Sequence, residues 1–147
     1  MTIKWETPAS AETILSTELN SLADGANKIT TTAVSNDASG ELYLFADFQL
    51  YLAAQGSARS SGAHVKLFIL PEIGGNFTYG GDSLDPAVGL LAGSFEFDAA
   101  TAARYSHVRG IPLPPTDFDV LVMNETGQAF ASSGNVLKME RYNLQAT

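Results

Sequence analysis

Between Glu41 and Ala53 the chain reads ELYLFADFQLYLA, and its side chains alternate with a period of two. Leu42, Leu44, Ala46, Phe48, Leu50 and Leu52 fall on one face of an extended strand, and Tyr43, Phe45, Asp47, Gln49 and Tyr51 fall on the other. A helix cannot use this pattern, because a period of 3.6 would scatter the leucines around its axis. The segment therefore belongs in a sheet with its aliphatic face on a core. The opposite face is aromatic where a solvated face would be polar, which predicts partial cover by a loop or a second chain. At about 3.3 Å per residue the run approaches about 40 Å, so a bend or bulge is predicted near Ala46 or Asp47.

The same punctuation continues along the chain. After a loop from Gln55 to Ala63, His64 to Leu70 alternates with Val65, Leu67 and Ile69 on one face, and Pro71 is expected to end it. Glu72 to Pro86 carries Gly74, Gly75, Gly80 and Gly81 and reads as a surface loop. Val88–Phe97, Arg104–Ile111, Phe118–Met123 and a strand beginning at Val136 follow, with a weaker run at Ile29–Ser35. Pro112, Pro114 and Pro115 bend the chain before Phe118, and Asn124–Gly127 has turn chemistry. Asp98 is placed to cap a helical turn ending at Ala103. About seven or eight strands with no long amphipathic helix predict an all-β fold, an antiparallel β-sandwich of jelly-roll type.

The chain's 147 residues suit one domain burying about 68–70% of its unfolded surface. Residues 28–147 read as that domain, and residues 1–27 read as an extended N-terminal arm. Ile14, Leu15, Leu19 and Leu22 are spaced to line one short helical face, bordered by Pro8 and by Asp24-Gly25. The arm would either pack on its own domain or dock on a neighbouring subunit. In the docking case Ile3, Trp5, Ile14, Leu15, Leu19 and Leu22 are its contacts, and Tyr43, Phe45 and Tyr51 supply a second, aromatic contact surface.

Chemistry is sparse. The chain has no cysteine, and His64 and His107 have no histidine partner at metal-ligand spacing, so no metal or cofactor site is expected. There is no Gly-x-Ser-x-Gly elbow. The pairs Glu96/Asp98 and Asp117/Asp119 are the only carboxylates arranged for a sandwich glycosidase, and turn or solvent roles explain them as well. Asp82 and Asp85 lack EF-hand spacing. The net charge is −8 with scattered Lys and Arg, opposite to a nucleic-acid footprint. No secretory leader or membrane span is predicted, which points to assembly in the cytoplasm and leaves the sequons at Asn76 and Asn124 unused.

The run through Thr13-Ile14-Leu15, Leu19-Asn20-Ser21-Leu22, the Leu42–Leu52 strand, Arg109-Gly110-Ile111-Pro112-Leu113-Pro114-Pro115 and Ser133-Gly134-Asn135-Val136-Leu137-Lys138-Met139 resembles small virion proteins of tailed bacteriophages. The resemblance implies a non-enzymatic structural protein of the virion, assembled in the host cytoplasm. In particular it implies a capsid cement or decoration protein that binds the major capsid protein and its own copies as a homo-trimer or homo-dimer. The alternative is a tail or baseplate module that binds a receptor or carbohydrate through Phe77, Tyr79 and Tyr105, and a glycosidase is a distant third.

Overall fold

The computed structural model describes residues 1–36 and 42–146, which form an all-β, antiparallel fold without an α-helix. In chain order the strands are β1 (Ile3–Trp5), β2 (Glu12–Leu15), β3 (Asn27–Ile29), β4 (Phe45–Leu52), β5 (His64–Ile73) and β6 (Asn76–Phe77). They continue as β7 (Leu91–Glu96), β8 (Arg104–Pro112), β9 (Phe118–Glu125), β10 (Val136–Tyr142) and β11 (Leu144–Ala146). One sheet has the order β2-β10-β4-β8. The other has the order β3-β9-β5, with β7 paired along the first half of β5 and β6 at its far end. β1 and β11 form a separate two-stranded ribbon.

Strand β4 keeps its alternation, burying Ala46, Phe48, Leu50 and Leu52. Its register against β8 shifts between Ala46 and Phe48, where the length of the run calls for a bend. Asp47 Oδ1 accepts the Gly110 N–H there at 2.8 Å, and Gly110 sits at φ +67. Before Phe45 the alternation fails. Glu41 lies outside the described residues, Leu42 and Leu44 are exposed instead of buried, and Tyr43 packs on the core. The cause is local: Asn36 brackets the Tyr43 backbone, donating to its carbonyl and accepting its N–H. Asn143 does the same across Leu42 and Leu44, so the segment is pinned by side chains in place of a ladder.

Pro71 does not end β5, which runs on to Ile73. Pairing with β7 stops at Phe68 and pairing with β6 starts at Glu72, so the missing proline N–H falls where neither neighbour needs it. The predicted helical turn at Asp98 is also absent. Its carboxylate instead binds Arg104 at 2.7 Å, and Arg104 holds its pKa below the usual carboxylate range.

One apolar core joins both sheets: Phe48, Leu50, Leu137 and Met139 from the first meet Val65, Leu67, Phe95, Val120 and Val122 from the second. A smaller cluster of Phe68, Leu70 and Leu121 lies on the other face of the second sheet with Ile29, Leu90 and Met123. The long β5–β7 connection covers it. Asp82 pairs with Lys28 and accepts the Ile29 N–H, and Asp85 accepts from Asn27 Nδ2 at 2.9 Å, which ties that connection to β3.

At the opposite end, buried polar side chains take the place of staples. Asn124 donates to the carbonyls of Leu22 and Gln128 and accepts from Thr126, so the second sequon is an internal loop clasp. Buried Arg59 donates to the carbonyls of Asp98 and Ala102, with its guanidinium 5.6 Å from the Phe97 ring centre.

The two sheets approach closely at Gly93 of β7, where a Cβ would sit 2.4 Å from Val108 Cγ1 of β8. Gly93→Ala is expected to cost about 1–3 kcal/mol in urea unfolding through overpacking, and less in a Val108→Ala background where the obstructing methyls are gone.

Candidate functional site

Residues 1–27 do not stand apart from the domain as an arm. β2 adds to the four-stranded sheet beside β10, and β3 begins at Asn27 in the other sheet. The helical face expected from Thr13 to Leu22 is a strand followed by a 3-10 turn at Thr17–Leu19. Leu15 and Leu19, expected as docking side chains, are 1% and 0% exposed and belong to the core. Ile14 and Leu22 are half-buried against the same core. A spacing of i, i+4 and i+7 placed on one strand and one tight turn aims these side chains inward, which the helical reading of the same spacing could not reveal.

The remaining expected contacts divide between exposed positions, Ile3 and Trp5, and half-buried ones, Tyr43, Phe45 and Tyr51. Ile3 and Trp5 are exposed, although the Trp5 ring also packs edge-on against Phe45 and Tyr142 at 5.7 and 5.3 Å. Tyr43 lies under the Arg141 guanidinium, 4.7 Å from its ring centre, and packs on the core. Tyr51 pairs with Tyr105 across β4 and β8, ring centres 4.6 Å apart.

The distribution of exposed large apolar side chains is uneven. One group comprises Met1, Ile3, Trp5, Leu42, Leu44 and Leu144, on the terminal ribbon and the segment leading into β4. A second comprises Ile73, Phe77, Tyr79, Leu84, Val88 and Leu91, on the β5–β7 connection and the residues flanking it. Both groups leave the sheets at the same end. Phe45 there faces Pro112 and Tyr142, Pro71 faces Phe118, and the short segment from Leu113 to Asp117 crosses between the sheets. Among the described residues, Tyr105 is the sole exposed large apolar side chain outside these groups. Of the second group, Ile73, Phe77, Tyr79 and Leu84 fall in the segment read as a surface loop, whereas Val88 and Leu91 read as strand residues and their exposure had no sequence signal.

The outer face of β10, β4 and β8 carries the polar chemistry. Gln49 Nε2 donates to His107 Nε2 at 2.8 Å, and Asp47 accepts the Tyr142 hydroxyl at 3.0 Å with Arg109 3.7 Å away. Burial, reinforced by the Asp47 carboxylate, raises the Tyr142 pKa. The carboxylates weighed for glycoside hydrolysis lie in two places: Glu96 pairs in register with His64, and Asp119 with Leu70, six residues further along β5 and about 20 Å away. Asp119 accepts from Thr30, and burial raises its pKa. Asp117 accepts the Asn36 N–H. No helix among the described residues is long and apolar enough to cross a membrane.

No family model matches the chain, and no curated protein matches it by sequence.

Leu15→Ala and Leu19→Ala are each expected to cost about 2–5 kcal/mol in denaturant unfolding, as buried leucines do, whereas Ile3→Ala should change stability by less than about 0.5 kcal/mol. Equal, small effects at all three positions would return Leu15 and Leu19 to the surface.

Proposed function

We propose that this chain is a structural protein of a tailed-phage virion, a capsid cement or decoration protein built as a jelly-roll β-sandwich. The fold assignment is supported by strand order. Without the terminal ribbon and the short β6, the eight strands divide as β2-β10-β4-β8 and β3-β9-β5-β7, the pattern of a double-sheet jelly roll in which consecutive strands alternate between leaves except for β5 and β7, which pair within one leaf.

The observation that carries the functional reading is the exposure of two groups of large apolar side chains, on segments that leave the sheets at the same end of an acidic chain. An end that presents Trp5, Tyr79 and Val88 to water is suited to burial against another protein, and a net charge of −8 favours solubility of the free protein. The partners are the major capsid protein and further copies of this chain, as a homo-trimer or homo-dimer. A stable contact needs about 1,000 Å² or more in total, and a repeating shell multiplies each weak contact by avidity. The mechanism is mechanical: the cement spans neighbouring shell subunits and resists their separation.

The second reading, a module of the tail or baseplate, is favoured by the exposed aromatics Phe77 and Tyr79 on the β5–β7 connection. Copy number separates the two, since a head position requires copies in proportion to shell subunits.

Particles stripped of this protein and incubated with wild type should recover their full complement. Val88→Asp combined with Tyr79→Ala should lower occupancy by about tenfold or more, because both side chains are exposed and their loss removes contact without unfolding the chain. Undiminished occupancy of the doubly substituted protein, measured by gel densitometry and electron microscopy, would overturn the assignment of this end as the docking surface.

A further inference from the structure

The two sheets treat their outer faces differently. The β5–β7 connection covers the outside of one, burying Phe68, Leu70 and Leu121. Among the described residues no comparable segment crosses the middle of the other, where a groove of about 280 Å³ runs between Gln49, His107, Arg109, Lys138 and Glu140. A shallower hollow of about 120 Å³ continues it past Tyr51 and Tyr105, sharing Gln49 and Lys138. From this geometry we infer that the outer face of β10, β4 and β8 is a binding site for a neutral oligosaccharide.

Three features specify that chemistry. At one end, Tyr51 and Tyr105 present a tilted ring pair, and Tyr105 is 63% exposed. An exposed aromatic face accepts the C–H side of a sugar ring while its phenol edge stays in water. Beyond the rings, the strand alternation lines up an amide, an imidazole, an ammonium and a carboxylate on one surface, offering donors and acceptors to hydroxyl groups. Lys138 and Glu140 lie two residues apart on β10, and no partner for either side chain is found among the described residues.

The charges complete the argument. Asp47 and Glu140 are balanced by Arg109 and Lys138, so this face is close to neutral on a protein of net charge −8. A polyanion would find no positive excess here, and an apolar peptide would strand the charged groups without water. A ligand that is polar, uncharged and flat-faced meets neither objection. Length agrees as well: the lining runs from Asp47 to Tyr51 on one face of β4, about 13 Å, room for a short extended chain of sugar units.

This inference does not depend on the shell assignment, because it concerns a different surface and is tested on the isolated chain. Isothermal titration of the full-length protein with cellohexaose, chitohexaose and maltohexaose should find at least one that binds with a Kd between about 10 µM and 1 mM. Tyr105→Ala and Lys138→Ala, both at exposed positions, should each weaken that binding by about fivefold or more while leaving the circular dichroism and thermal midpoint unchanged. The inference is overturned if none of the three hexasaccharides binds at about 5 mM, or if binding persists unaltered in both variants. It is likewise overturned if Tyr105→Ala abolishes occupancy on particles while no saccharide binds, since the face would then be a protein contact.

Discussion

The five-stranded sheet buries side chains on both of its faces, and most of the chain is arranged around that demand. In β5, Val65, Leu67 and Ile69 point to the shared core, while Phe68 and Leu70 point the other way. In β9, Val120 and Val122 oppose Leu121 in the same manner. A sheet of this kind needs a layer on each side. The four-stranded sheet supplies one, and the long β5–β7 connection supplies the other, anchored to β3 through Asp82 and Asp85.

That arrangement explains why the two outer surfaces differ. The connection that shields Leu70 turns its own outer side chains, Leu84 and Val88 among them, toward solvent. An apolar requirement met on the inside is thus carried over to the outside of the covering loop, and the same end holds the terminal ribbon with Trp5. The four-stranded sheet has a single core face. Its other side needs no cover and is free to display Gln49, His107 and Lys138 between aromatic groups. Without cysteines, the opposite end is secured by buried, hydrogen-bonded polar side chains. Asn124, Asn135 and Arg59 span loops that are distant in sequence, and each would cost heavily if left unpaired.

Much of this was legible residue by residue. Alternation located β4 and the first half of β5, the prolines after Ile111 located the crossing between sheets, and the bulge at Asp47 followed from length. Other features were hidden because they depend on partners far away in the chain. Leu42 and Leu44 continue the β4 pattern perfectly, but Asn36 and Asn143 take over their backbone and reverse which side chains face the core. Pro71 reads as a stop until the gap between β7 and β6 is seen. Leu15 and Leu19 suit a docking helix equally well until β10 is found beside them.

By itself, then, the amino-acid order determined the class of structure: an acidic, cysteine-free, antiparallel β chain without a long helix, because period and turn chemistry are local properties that neighbouring residues express alone. Only the tertiary structure decided which apolar residues are core and which are surface. A side chain's burial depends on what lies across the sheet, and that is set by pairings such as Leu15 with Leu137 or Tyr51 with Tyr105, between residues separated by dozens of positions. The candidate surfaces belong to this second kind, since each brings together residues from three or more segments that have no common pattern along the chain.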